Sequence, residues 1–144
     1  MRGAQGIEST DADYHPLVWV KARNLAREVS PSGHLFINRE QLLAWNPEIL
    51  FLDAGGLALI ARDYRRKPEF YRHLKAFGEK RAHLFYPFNN YATNVETMIA
   101  DAWAAGKILY PDRFPDVDLP RKSDDIYRFF LGKPLYRDML KSFG

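Results

Sequence analysis

Two rhythms of apolar residues alternate along this chain. Short unbroken runs, Leu35-Phe36-Ile37 and Ile49-Leu50-Phe51-Leu52, read as extended segments, whereas residues three and four apart mark helices. The first helix opens at His15-Pro16, because proline is favoured at the first helical position. Leu17, Val18, Leu25 and Val29 give it an apolar stripe, and Ser30-Pro31-Ser32-Gly33 stops it. Asn38 caps a second helix. Gln41 completes a capping-box pattern, and Leu42, Leu43 and Trp45 face inward until Asn46-Pro47. The run Ile49-Leu50-Phe51-Leu52 suits a strand covered on both faces, and Asp53-Ala54-Gly55-Gly56 is the turn after it. A helical stretch follows, interrupted near Pro68, with Phe70, Tyr71, Leu74 and Phe77 at helical spacing and Gly78 placed to end it. Residues 82–86 read as a second strand closed by Pro87, parallel to the first through a right-handed crossover. Asn94 caps the next helix, which runs to about Tyr110 with Val95, Met98, Ile99, Ala102 and Trp103 toward the core. After a loop at 112–120, Ile126, Phe129 and Phe130 mark a helix that Gly132 breaks. Leu135, Met139 and Leu140 mark the last one.

The pattern predicts an α/β domain with more helix than strand. Two strands make a narrow parallel sheet, since such sheets are normally wider. Gly3 and Gly6 look like the turn after a further strand, one expected before Met1. At 144 residues the chain suits one domain with a sizeable core, and its 47% hydrophobic and 27% charged content is a globular balance. A net charge of +3, from 21 basic and 18 acidic residues, is too even to imply nucleic acid. The densest basic run, 62–67, is broken by Asp63 and Tyr64 and reads as a solvated helix face. The absence of cysteine excludes disulfides, thiolate metal sites and cysteine nucleophiles. No apolar run is long enough to span a membrane, and the N-terminal residues lack the apolar core of a signal peptide. His15, His34, His73 and His83 show no helical ligand-pair spacing, so no metal site is expected. Neither a phosphate loop nor a Gly-x-Ser-x-Gly elbow is present, and no nucleophile–base set emerges; the chain does not read as an enzyme.

The stretch Asn38-Arg39-Glu40-Gln41-Leu42-Leu43-Ala44-Trp45-Asn46-Pro47-Glu48-Ile49-Leu50-Phe51-Leu52 resembles a segment of periplasmic substrate-binding proteins of the iron-siderophore and cobalamin type. Tyr86-Pro87-Phe88-Asn89-Asn90-Tyr91-Ala92-Thr93-Asn94 is similar to a tyrosine- and asparagine-rich loop of their iron-uptake branch. Gly106-Lys107-Ile108-Leu109-Tyr110-Pro111-Asp112-Arg113-Phe114 and Phe129-Phe130-Leu131-Gly132-Lys133-Pro134-Leu135-Tyr136 resemble that branch too. Gly3-Ala4-Gln5-Gly6-Ile7-Glu8-Ser9-Thr10 looks like the turn after the first strand of the family's C-terminal lobe. The resemblance covers nearly the whole chain. It implies a Rossmann-like three-layer lobe, a short parallel sheet flanked by helices, with residues 1–144 as the C-terminal lobe and the N-terminal lobe absent. It further implies a periplasmic or extracytoplasmic protein, peripheral to the membrane, that gives cargo to an ABC permease. The cargo implied is an iron or other metal chelate, whether ferric siderophore, haem or cobalamin, with no resident cofactor.

Ligands of open α/β sheets sit beyond the carboxyl ends of the strands, and the resemblance points to the same edge. Tyr86, Phe88 and Tyr91 offer flat faces to a chelate. Asn89, Asn90 and Asn94 offer amides. Arg2 suits an anionic chelate, and Gly55 and Gly56 allow close backbone approach. The plainer readings stand beside these: aromatics after a strand are often core, and Asn94 is placed to cap a helix. By resemblance Glu40 pairs with an arginine of the permease, although an acidic residue in a first turn also favours the positive helix end. A second reading makes the chain a self-associating interaction module, a homodimer through the exposed sheet edge.

Overall fold

A computed structural model describes residues 6–90 and 92–143. In chain order the elements are β1 (Ser9–Asp11), α1 (His15–Trp19), β2 (His34–Phe36), α2 (Arg39–Trp45), β3 (Leu50–Asp53), α3 (Leu57–Arg66), α4 (Pro68–Arg72), α5 (Lys75–Gly78), β4 (Ala82–Phe85), β5 (Asn89–Asn90), β6 (Ala92–Thr93), α6 (Val95–Leu109), α7 (Leu119–Leu131) and α8 (Tyr136–Phe143). The architecture is mixed α/β, with the expected short parallel pair, β3 and β4, joined through helices. The chain divides into two compact units, one made of the segment up to Ala12 with Leu25–Phe85, the other of Asp13–Asn24 with Tyr86–Gly144.

In the first unit β3 pairs with β4 in the register Leu50↔Ala82 to Asp53↔Phe85. Phe51 stacks on Phe85 across the ladder at 4.3 Å. Ile7, Ile37, Leu42, Leu52, Ile60, Tyr71 and Leu74 form the buried cluster. The Asn38 side chain accepts from the Gln41 N–H at 2.7 Å, which sets the start of α2. Asn46, with φ 38°, takes the left-handed conformation that ends α2. Pro68 opens α4, because a proline cannot continue α3 but fits a first helical turn. β2 falls on the expected extended run at Leu35-Phe36-Ile37, but its antiparallel partner β1 has no counterpart in the sequence pattern: Ser9, Thr10 and Asp11 carry no apolar alternation, and their pairing with Phe36, Leu35 and His34 is a backbone matter. The expected long first helix is also corrected. It stops at Trp19, Lys21 turns left-handed at φ 55°, and a separate 3-10 turn covers Leu25–Glu28. Val18 and Val29 are exposed rather than inward.

The second unit is built on α6, which packs against α1 and α7. Ala100, Ala102, Ala105 and Gly106 are buried along it, small residues that let neighbouring backbones come close. A Cβ on Gly106 would meet the Phe114 ring at 2.9 Å. Val95, expected inward, is 41% exposed. Tyr127 on α7 is buried, whereas Phe129, expected on the apolar face, is 82% exposed. Gly132, at φ 75°, closes α7 as expected.

Candidate functional site

The segment after β4 is held by a buried carboxylate. Asp101 on α6 is 3% exposed, and it accepts the Tyr86 N–H at 3.1 Å and the Tyr14 hydroxyl at 3.4 Å. A main-chain amide and a phenol are neutral donors, and through them the carboxylate fixes where the chain turns. The Asn94 N–H donates to the Phe88 carbonyl at 2.7 Å, closing the small antiparallel hairpin in which Asn89 faces Thr93 and Asn90 faces Ala92. Phe88 is 5% exposed and tilts onto the Tyr14 ring at 5.3 Å. It is core, not the ligand face expected of it.

Tyr86 is half-buried, with its ring 6.1 Å from that of Phe143. Burial, then the neighbouring Tyr136, Tyr127 and Asp101, push its phenol up to about 12. At neutral pH it is a hydroxyl rather than a phenolate. Asn89 is exposed, and its side chain accepts from the Thr93 hydroxyl at 3.5 Å, a marginal bond. Asn90 is placed by its backbone in β5. Asn94 holds the cap position of α6, but its side chain makes no capping bond, which corrects the expectation that capping occupies it. Its amide is uncommitted among the described residues. Tyr91 and Arg2 lie outside the described residues.

Gly55 belongs to the other unit. It is exposed in a 3-10 turn, Ala54–Gly56, and its N–H donates to Asp53 Oδ1 at 2.7 Å. That amide is therefore taken. Gly56 is buried. Burial raises the Asp53 carboxyl, while the Gly55 and Gly56 amides pull it back. Glu40 is exposed in the first turn of α2. The four histidines are spread out: His34 bonds Ser9 at 2.7 Å, His73 the Glu69 carbonyl at 2.7 Å, and burial and then Arg81 lower His83. Among the described residues no cluster of three metal-ligating side chains forms. Sequence reasoning misses Asp101, a lone acid inside an apolar helical pattern; a charge on an otherwise buried face is the available signal.

No protein-family profile matches the chain, and no curated protein does. Solved structures do. The molybdate periplasmic binding protein MolA of a Haemophilus influenzae ABC transporter, bound to molybdate, matches 93% of this chain and 40% of its own, with a TM-score of 0.68 and 21% identity. A periplasmic solute binding protein from Veillonella parvula matches 97% of this chain and 45% of its own, with a TM-score of 0.69 and 17% identity. The chain thus spans less than half the length of either protein. What it shares with both is the fold, a short parallel sheet flanked by helices as in lobes of periplasmic binding proteins.

Proposed function

We propose that this chain serves as a lobe of a solute-binding protein for an ABC importer and takes a metal chelate as cargo. The observation that carries the reading is the hairpin after β4. It offers an exposed Asn89, the uncommitted amide of Asn94 and a half-buried Tyr86 on one short segment fixed by Asp101. A half-buried aromatic ring beside a few placed polar groups suits ligand capture. Structural likeness to two periplasmic solute-binding proteins supports the class, and MolA's molybdate keeps an oxyanion cargo as the competing choice. In this reading the protein works outside the cytoplasm, Asn90 and Tyr91 are further cargo contacts, and Glu40 meets the permease.

The test is native mass and absorbance of the purified chain with a ferric siderophore, haem, cobalamin and molybdate in turn. Retention of a coloured chelate, lost in Asn94→Ala and Tyr91→Ala, supports the reading. Retention of molybdate alone, lost in Asn94→Ala and Tyr91→Ala, replaces the chelate with an oxyanion. Retention of none, together with a dimer mass, favours the self-associating module.

A further inference from the structure

Away from that hairpin, the first unit carries a groove of about 210 Å³ lined by Glu8, Arg39, Leu59, Arg62, Asp63 and Arg66. Three guanidinium groups meet two carboxylates there, and both carboxylates are engaged by the same partner. Arg39 reaches Asp63 through Nη2 at 2.9 Å and Glu8 through Nε at 3.5 Å. Asp63 also accepts the Tyr71 hydroxyl at 2.7 Å. Arg62 and Arg66, one turn apart on α3, are left with no ion-pair partner among the described residues. The third nitrogen of Arg39, Nη1, is buried and has no hydrogen-bond acceptor among the described residues, although the guanidinium carbon lies 4.8 Å from the centre of the Phe70 ring. A desolvated, charged N–H without an acceptor is costly, and a native site normally supplies one.

We propose that this groove binds a tetrahedral oxyanion of the phosphate class, held between Arg62 and Arg66 with Arg39 behind them. Guanidinium forks match such an anion geometrically, and three of them against two occupied carboxylates leave positive charge for it. The size agrees. Pockets for drug-sized ligands run from roughly 300 to 1,000 Å³, so a groove this small suits a single anionic group. The basic run that reads as a solvated face in the sequence thereby gains a use for two of its members, since Arg62 and Arg66 share one side of α3. Nothing in the proposal depends on cargo binding at the hairpin.

Calorimetric titration of the whole chain with inorganic phosphate, at constant ionic strength, tests it against the Arg62→Gln/Arg66→Gln double variant. Both side chains are exposed, so the variant folds, and circular dichroism checks this. Saturable binding that weakens by about tenfold or more in the variant supports the site. Heat no different from sodium chloride, or binding unchanged in the variant, overturns it. Flotation with vesicles containing phosphatidic acid identifies the source of the anion: binding to vesicles and free phosphate alike indicates a lipid headgroup, and binding to free phosphate alone indicates a soluble ion. Failure of both overturns the proposal and leaves the cargo reading where it was.

Discussion

Each unit anchors an acidic side chain, and the two do so by different means. In the first, Asp63 sits at a partly open edge, 25% exposed, where it meets the Arg39 guanidinium and the Tyr71 hydroxyl. Burial pushes its carboxyl up, but the bonds from Arg39 and Tyr71 and the charge of Arg39 outweigh that and hold it below the usual range. In the second, Asp101 is nearly sealed and holds an amide and a phenol. The surrounding cores differ to match. Tyr71 is ringed by Tyr64, Phe70 and Phe77 at 5.2, 5.1 and 4.9 Å, whereas α6 is lined by alanines. Large rings leave room for a charged pair at their border. Close helix packing through small residues admits one short acid and fixes a neighbouring loop with it.

The sharpest way to break the contrast is Tyr71→Ala. It empties a fully buried ring site and strips Asp63 of a donor, and a loss of about 4 kcal/mol in urea denaturation is expected. Arg39→Ala comes next, at about 2 kcal/mol, less than for a sealed pair because Arg39 and Asp63 remain 20% and 25% exposed. The Arg39–Asp63 pair also has a pH signature. A depressed folded-state carboxyl contributes stability above its unfolded value, about 3.9, and that contribution is lost as pH falls through the folded value. Asp63→Asn is therefore expected to flatten the acid limb of a melting-temperature profile. Asp101→Ala, which orphans the Tyr86 amide, is expected to cost slightly less, about 1.5 kcal/mol, while Asp101→Asn keeps an acceptor and loses under about 1 kcal/mol. The smallest effect is expected at Asp53, whose carboxyl is raised by burial, the opposite sign to Asp63. Asp53→Asn retains an oxygen for the Gly55 amide and should change stability at neutral pH by no more than about 0.5 kcal/mol, toward gain.

Elements with a local chemical cause are legible in the sequence itself. The Asn38 cap, the Pro68 interruption, the Gly132 stop and the parallel pairing of two apolar runs all fall where the residues place them. Elements fixed by backbone pairing or distant partners are not legible in this way. Ser9, Thr10 and Asp11 have no strand pattern, and Val18 and Val29 mimic a helical stripe that Lys21 interrupts. At the candidate site the loop itself can be read, because its aromatic and amide residues follow a strand. Which of them are free cannot. Phe88 is committed to Tyr14, and Asn94 is not committed to its helix; both follow from the fold around Asp101 rather than from the loop's own letters.

The separation of β3 from β4 along the chain bears on the order in which the first unit assembles. Three helices lie between the paired strands, so the ladder forms only by closing a loop of roughly thirty residues, whereas the turns of α2 and α3 need only near neighbours. Helical turns form within about a microsecond, so the strands are expected to meet after the intervening helices have shortened the distance between them. Refolding of this unit should accordingly slow when α3 is weakened at its solvent-facing positions.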